Sequence, residues 1–159
     1  MRLLLIIIIL ILALFVLMRL YARSGSIQQS YPPGYTAGLT DGKLAPCKSS
    51  PNCISSQCDP LDRMHYAPAM QIPVTIANPK QRLIEVITSM PGAQIIEDTD
   101  QYIRAEYTTK LMRYVDDVEF LVDEKTRTIH FRSASRVGYS DMNLNRKRIE
   151  EIRALMNAQ

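Results

Sequence analysis

The sequence predicts an α+β domain: an antiparallel sheet of about five strands with helices packed on one face, preceded by an N-terminal transmembrane helix. Three observations predict it. Four stretches between residues 93 and 137 carry strand-type apolar and polar patterning, and short polar turns separate them. Two stretches with helical spacing flank them, and a short alternating stretch precedes the first. Sixteen uncharged apolar residues, Leu3 to Met18, open the chain. The order is β-α-β-β-β-β-α behind the leading helix.

That leader spans about 24 Å as a helix, somewhat short of a hydrocarbon core of roughly 30 Å. Leu20 and Tyr21 lengthen it, and Arg2 and Arg19 can snorkel to the interface. The alternatives are a cleaved signal peptide and a buried helix. A small-x-small site stands at Ala22-Arg23-Ser24, but its flanking arginines make it poor. The sequence is therefore read as a single-pass protein of the bacterial inner membrane, with residues 1–22 as anchor and the soluble domain in the periplasm. Positive charge at both ends of the leader leaves orientation undecided by charge alone.

A net charge of +3 over 159 residues is too mild for a nucleic-acid partner. Residues 23–43 read as linker, and 44–159 as one soluble domain. The Gly, Ser, Pro and Asn content from Arg23 to about Asp59 holds no helical or alternating period. Such a segment is expected to stay irregular and to bury little.

Every cysteine lies in "PCKSSPNCISSQC", Pro46 to Cys58. The C-x5-C-x4-C spacing lacks the paired C-x2-4-C pattern of structural zinc, so no metal is expected. A disulfide suits an exported domain. Pro51-Asn52 turns the chain back before Cys53, which favours Cys47–Cys53. Chain entropy gives roughly 2.4 kcal/mol for a loop of that size and nearly as much for Cys53–Cys58, so it does not choose between them. Cys58 is left over, either buried or able to join two chains.

"QIPVTI" alternates at Ile72, Val74 and Ile76 and predicts a short strand, with Pro73 placing it at an edge or an irregular start. Asn78 is a good N-cap, Pro79 suits the first helical position, and Gln81 completes a capping-box-like pattern. Leu83, Ile84, Ile87 and Met90 form the buried stripe of that helix, and "MPG" ends it. The last helix runs from about Asp141 to Asn157, with Leu144, Ile149, Ile152, Leu155 and Met156 on its apolar face.

The last hairpin can be registered. With its turn on Lys125-Thr126, Phe120 faces Phe131, Val118 faces Ser133 and Asp116 faces Ser135 on the apolar side. Glu119 meets Arg132 and Asp117 meets Ala134 on the other side, where Asp117 lies diagonally between Arg132 and Arg136. This charge ladder reads first as a solvated sheet face, and second as a site where arginines hold an anion. Asp116 falls on the apolar face and must be paired, hydrogen-bonded or neutral. A hub with Ser133 and Ser135 is favoured over a bulge at Asp116-Asp117 or a catalytic acid. Tyr139 and Asp141 follow at the strand-to-helix turn, where Asp141 or Ser140 caps the helix. Arg146, Lys147, Arg148 and Arg153 read as a solvated helix face, with anionic lipid headgroups as the other reading. The helix N-terminus beside Arg136 could also receive a small anion.

"PCKSSPNCISSQ", "YVDDVEF" and "IHFRSASRVGYSDMNLNRKRIEEIR" resemble the uncharacterised bacterial and plastid family called domain of unknown function 1499. The resemblance runs from about Leu44 to Met156. It implies no activity. It carries over Cys47 and Cys53, the acidic group Asp116, Asp117 and Glu119, and the segment Arg132 to Arg148, and leaves Cys58 outside the pattern. No serine–histidine–acid set, P-loop, dinucleotide or zinc motif is present, and no cofactor is expected. A membrane-anchored ligand-binding or envelope-support module is therefore favoured. The alternative is a hydrolase-like enzyme acting on an anionic substrate through Asp116, Asp117, Arg132, Arg136 and Tyr139.

Overall fold

The structure, a computed structural model, describes residues 2–23 and 31–158. Linker residues 24–30, and with them Ser24 of the small-x-small site, lie outside the described residues. Helix α1 spans Arg2–Arg23, and its Arg2–Tyr21 stretch is long and apolar enough to cross a membrane. The body then runs β1 (Leu39–Thr40), β2 (Lys43–Leu44), β3 (Cys53–Ser55), β4 (Met70–Gln71), α2 (Pro79–Ser89), β5 (Ala93–Asp98), β6 (Tyr102–Thr108), β7 (Val115–Asp123), β8 (Thr128–Ser135) and α3 (Leu144–Asn157).

Six strands make the main sheet, in the order β3-β8-β7-β6-β5, with β4 also pairing to β8. All these ladders are antiparallel. The β7–β8 register is the expected one, from Asp116 opposite Ser135 to Asp123 opposite Thr128, without a bulge at Asp116-Asp117. Its turn is held by Asp123, whose carboxylate accepts from Lys125 N and Thr126 N. β5 carries a register shift between Ile95 and Glu97.

Alternation along these strands sorts the side chains into two layers. Ile103, Val118, Phe120, Val122, Ile129 and Phe131 turn to one face, where α2 adds Leu83, Val86 and Ile87 and α3 adds Ile149, Ile152 and Met156. Each such fully buried side chain contributes roughly 1.5–3 kcal/mol by leaving water. Asn78 caps α2 by accepting from Gln81 N at 3.1 Å. Val86 joins the expected stripe, while Ile84 sits at its margin.

Three segments depart from the sequence reading. The "QIPVTI" strand is reduced to Met70–Gln71, and Val74 is 85% exposed. Pro73 offers no N–H to extend the ladder, and the Arg127 guanidinium gathers the carbonyls of Ile72, Pro73 and Ile76 into a turn. Regular α3 begins at Leu144 instead of Asp141, so Leu144 is exposed and Asn145 takes the buried position. The segment from Tyr31 to Asp59 does not lie loose. Tyr35, Leu44, Ala45, Asn52 and Cys53 are buried, and this strap crosses the second face of the sheet.

Gly92, which follows α2, has φ +79°, and a Cβ built there would meet Thr108 O at 2.6 Å. Gly34 has φ +76° with open space around it. Gly34→Ala is expected to cost about 1–2 kcal/mol from backbone strain alone. Gly92→Ala should cost roughly twice that, because strand β6 must also shift. Thermal or urea unfolding of the two variants measures the difference.

Candidate functional site

The charge ladder forms a buried seam between the sheet and the strap. Glu119 and Arg132 face each other across β7 and β8, and Arg132 Nη1 donates to Glu119 Oε2 at 2.6 Å. Tyr102 OH donates to Glu119 Oε1 at 2.8 Å, and the Gly38 amide of the strap donates to the same oxygen. One residue pair along, Arg136 grips Asp117 with two bonds of 2.8 Å, Nε to Oδ2 and Nη2 to Oδ1. Arg136 Nη2 also donates to Glu106. Arg104 lies 3.6 Å from both Asp117 and Glu97. Asp117, Glu119, Arg132 and Arg136 are each at most 2% exposed.

The strap closes the seam with two tyrosines. Tyr35 OH donates to Asp117 Oδ2 at 2.8 Å. The Tyr31 and Tyr35 rings stack at 5.5 Å, with Arg136 over Tyr31 at 4.5 Å and Arg132 over Tyr35 at 5.3 Å. Among the described residues none accepts from the buried Arg132 Nε. The expectation of a solvated sheet face is thus overturned: the strap takes the place of solvent. Buried charges of this kind need near-complete pairing, because water no longer screens them.

Asp116 points the other way, to the helix face. Its partner is Arg148 of α3, whose Nη2 donates at 2.7 Å, and not the two serines. Arg148 continues to Ser133 and to Asn145 Oδ1, and its guanidinium lies 4.6 Å over the Tyr107 ring. Asn145 is fully buried and joins three segments. Its amide nitrogen faces Asn52 O, Ser135 Oγ and Asp141 Oδ2, sharing two protons among three acceptors. Asp141 also accepts from Asn145 N at 2.8 Å, so it caps α3 from two residues before the N-cap position. Ser135 N in turn donates to Asn52 O, and Asn52 Nδ2 donates to Gly138 O at 2.7 Å.

The five residues of the enzymatic alternative do not converge. Asp116 is separated from Asp117, Arg132 and Arg136 by the sheet itself, and Tyr139 is 76% exposed on the β8–α3 loop. The basic run on α3 is mostly turned inward: Arg146 donates to Met64 O and Tyr66 O, and Arg153 to Pro68 O and Ala69 O. Lys147 alone of the four is exposed. Two open clefts of about 810 and 840 Å³ lie elsewhere, one between β1–β2 and the turns at Asp100 and Lys125, the other between the disulfide loop and His65. A smaller cleft of about 380 Å³ reaches Tyr31, Tyr35 and Arg104 but not Asp117, Arg132 or Arg136.

The Cys47–Cys53 bridge is formed, with the two Cα atoms 5.7 Å apart. Cys53 packs with Tyr35 and Ala134, so the bridge ties the strap to the sheet edge. Cys58 is free and half-buried, and burial pushes its thiol pKa up. Several site residues carried weak sequence signals or none. Asn145 stands on the Ile149–Ile152–Met156 stripe, and a polar residue at such a position marks a buried hydrogen-bonding hub. Tyr102 and Arg104 alternate onto the ladder face and were within reach of the same reasoning. Tyr35 and Gly38 lie in a segment without period.

A sheet with helices on one face and a disulfide-tied strap on the other, sealing an ionic seam between them, defines a small α+β domain in which Asp116, Asp117, Glu119, Arg132 and Arg136 are all buried. Residues 43–156 match the family described as protein of unknown function (DUF1499), and the chain belongs to that family. No curated protein matches the sequence.

The seam yields two expected outcomes. Arg136→Ala or Asp117→Leu alone should lower stability by about 3–5 kcal/mol, since each strands a buried charge. Joining Asp117→Leu to Arg136→Met should lose less than either single change, because neither member of the bidentate pair is left charged opposite the other's vacant place; chemical denaturation of the three chains tests this. Burial holds the hydroxyls of Tyr35, Tyr102 and Tyr107 well above the ordinary tyrosine value, reinforced by Asp117 at Tyr35 and Glu119 at Tyr102. Raised folded-state values mean that this stability is intact below about pH 10. It falls as the pH climbs further and the unfolded chain ionises first. The share of phenolate absorbance that belongs to these three buried tyrosines should therefore rise together with loss of circular dichroism.

Proposed function

We propose that the protein is a single-pass, membrane-anchored module of the bacterial envelope, with its body in the periplasm, and that it supports the envelope by binding and not by catalysis. One observation carries the reading. The residues best suited to acid–base or anion chemistry are paired with one another under the strap, with Tyr35 and Gly38 in the places a substrate would take. A general acid or anion-holding arginine needs access to its substrate. Here access requires removing a strap that a disulfide and two stacked tyrosines hold in place.

The anchor and the bridge support the location. The Arg2–Tyr21 stretch of α1, 20 residues and about 30 Å long, matches a bilayer core. A disulfide that braces the strap belongs in an oxidising compartment.

Full-length chain carrying Cys58→Ser tests both. A membrane-impermeant maleimide applied to cells with a permeabilised outer membrane should label Cys47 and Cys53 only after reductant. Labelling confined to lysed cells, with no need for reductant, would place the body in the cytosol and sink the reading.

A further inference from the structure

We propose that the end of the domain made by the β6–β7 and β8–α3 loops rests on the membrane surface, in the interfacial layer of the bilayer that holds α1; this rests on the anchored reading above. The two loops leave the sheet side by side. Thr108 pairs with Val115, and Arg136 N donates to Val115 O at 3.2 Å, so residues 109–114 and 137–143 project from the same end. Eleven large apolar side chains are exposed among the described residues outside α1, and five stand at this end: Leu111, Tyr114, Tyr139, Met142 and Leu144. Met142 is 84% exposed.

The backbone holds them outward. Arg113, Met142 and Asn143 all have positive φ, and the latter two are fixed by Ser140 and Asp141, whose side chains accept from Met142 N and Asn143 N. Holding bulky residues in that conformation has a cost. A constrained loop that shows Tyr and Met to water at its tip has the composition of an interfacial anchor. Lys110 and Arg113 add exposed positive charge beside it, suited to the phosphates of an anionic leaflet.

The leading helix makes the second, independent contribution. Arg19 Nη2 donates to Lys110 O at 3.2 Å, and Val16, Arg19 and Leu20 line a cleft with Lys110 and Arg113. The β6–β7 loop therefore sits beside the last apolar turns of α1, where a spanning helix leaves the hydrocarbon. A soluble protein partner would account for exposed apolar side chains, but not for their place next to the exit of the anchor.

The chain has no tryptophan, so single substitutions are clean fluorescent probes. Full-length chains with Leu12→Trp, Tyr139→Trp, Met142→Trp or Val74→Trp are reconstituted into vesicles of phosphatidylcholine and phosphatidylglycerol brominated on the acyl chains. Val74, near Arg127 at the opposite end of the sheet, is the water-facing control. Emission is expected to shift blue and to be largely lost at 12, 139 and 142, and to stay unchanged at 74. Quenching at 12 with none at 139 and 142 overturns the docking and leaves the anchor standing. No quenching at 12 overturns the anchor, and the docking with it. Lys110→Glu with Arg113→Glu should weaken quenching at 139; unchanged quenching would overturn the headgroup contact.

Discussion

The bidentate grip of Arg136 on Asp117, with the parallel Arg132–Glu119 bond, is the constraint on which the rest of the architecture depends. Three charged side chains on two neighbouring strands, with Arg136 one residue beyond β8, cannot be taken out of water unless every strong acceptor finds a donor. The strands supply the ion pairs. The strap supplies what is missing: a phenol for Asp117, a backbone amide for Glu119, and aromatic faces over both guanidinium groups. The seam thus holds the strap by hydrogen-bond geometry, beside the apolar packing of Tyr35 with Cys53 and Ala134.

Asp116 and Asp117 are neighbours with opposite destinations. The two-residue period of a strand sends Asp117 to the strap and Asp116 to α3, so consecutive carboxylates organise both faces of one sheet. On the helix side Arg148 meets Asp116 and hands on to Ser133 and Asn145. Asn145 then reaches Asn52, which lies one residue before Cys53. The disulfide loop, the end of β8 and the start of α3 are therefore one connected polar lock. Its members are ordinary one by one; their value lies in the links they make between separate segments.

This economy has functional weight. A cluster of carboxylates and arginines in a small domain invites an enzymatic reading. Enclosure and mutual pairing turn it into a device for holding a chain segment against a sheet. Exposed apolar and basic side chains gather elsewhere, at the loop end beside the last turns of α1. Anchor, strap and loop end are consecutive or adjacent.

Much of this was legible from residue order. Periods of two and of 3.6 are local, so the four long strands, the Asn78-capped helix and the apolar leader could be read directly. The β7–β8 register followed from one turn, and with it the facing of Glu119 to Arg132 and the placing of Asp116 and Asp117 on opposite faces. Fold class follows from the order of those elements, and family membership from the long motifs that carry the resemblance. Tertiary structure decided what covers each face. The strap has no periodicity because it is held by single long-range bonds, each between residues some eighty positions apart, and such bonds leave no local pattern. Whether a charge is solvated or sealed depends on that cover. The sequence alone therefore placed the seam but took it for a wet surface, and it assigned Asp116 to the nearby serines when the true partner, Arg148, arrives from a helix 32 residues away.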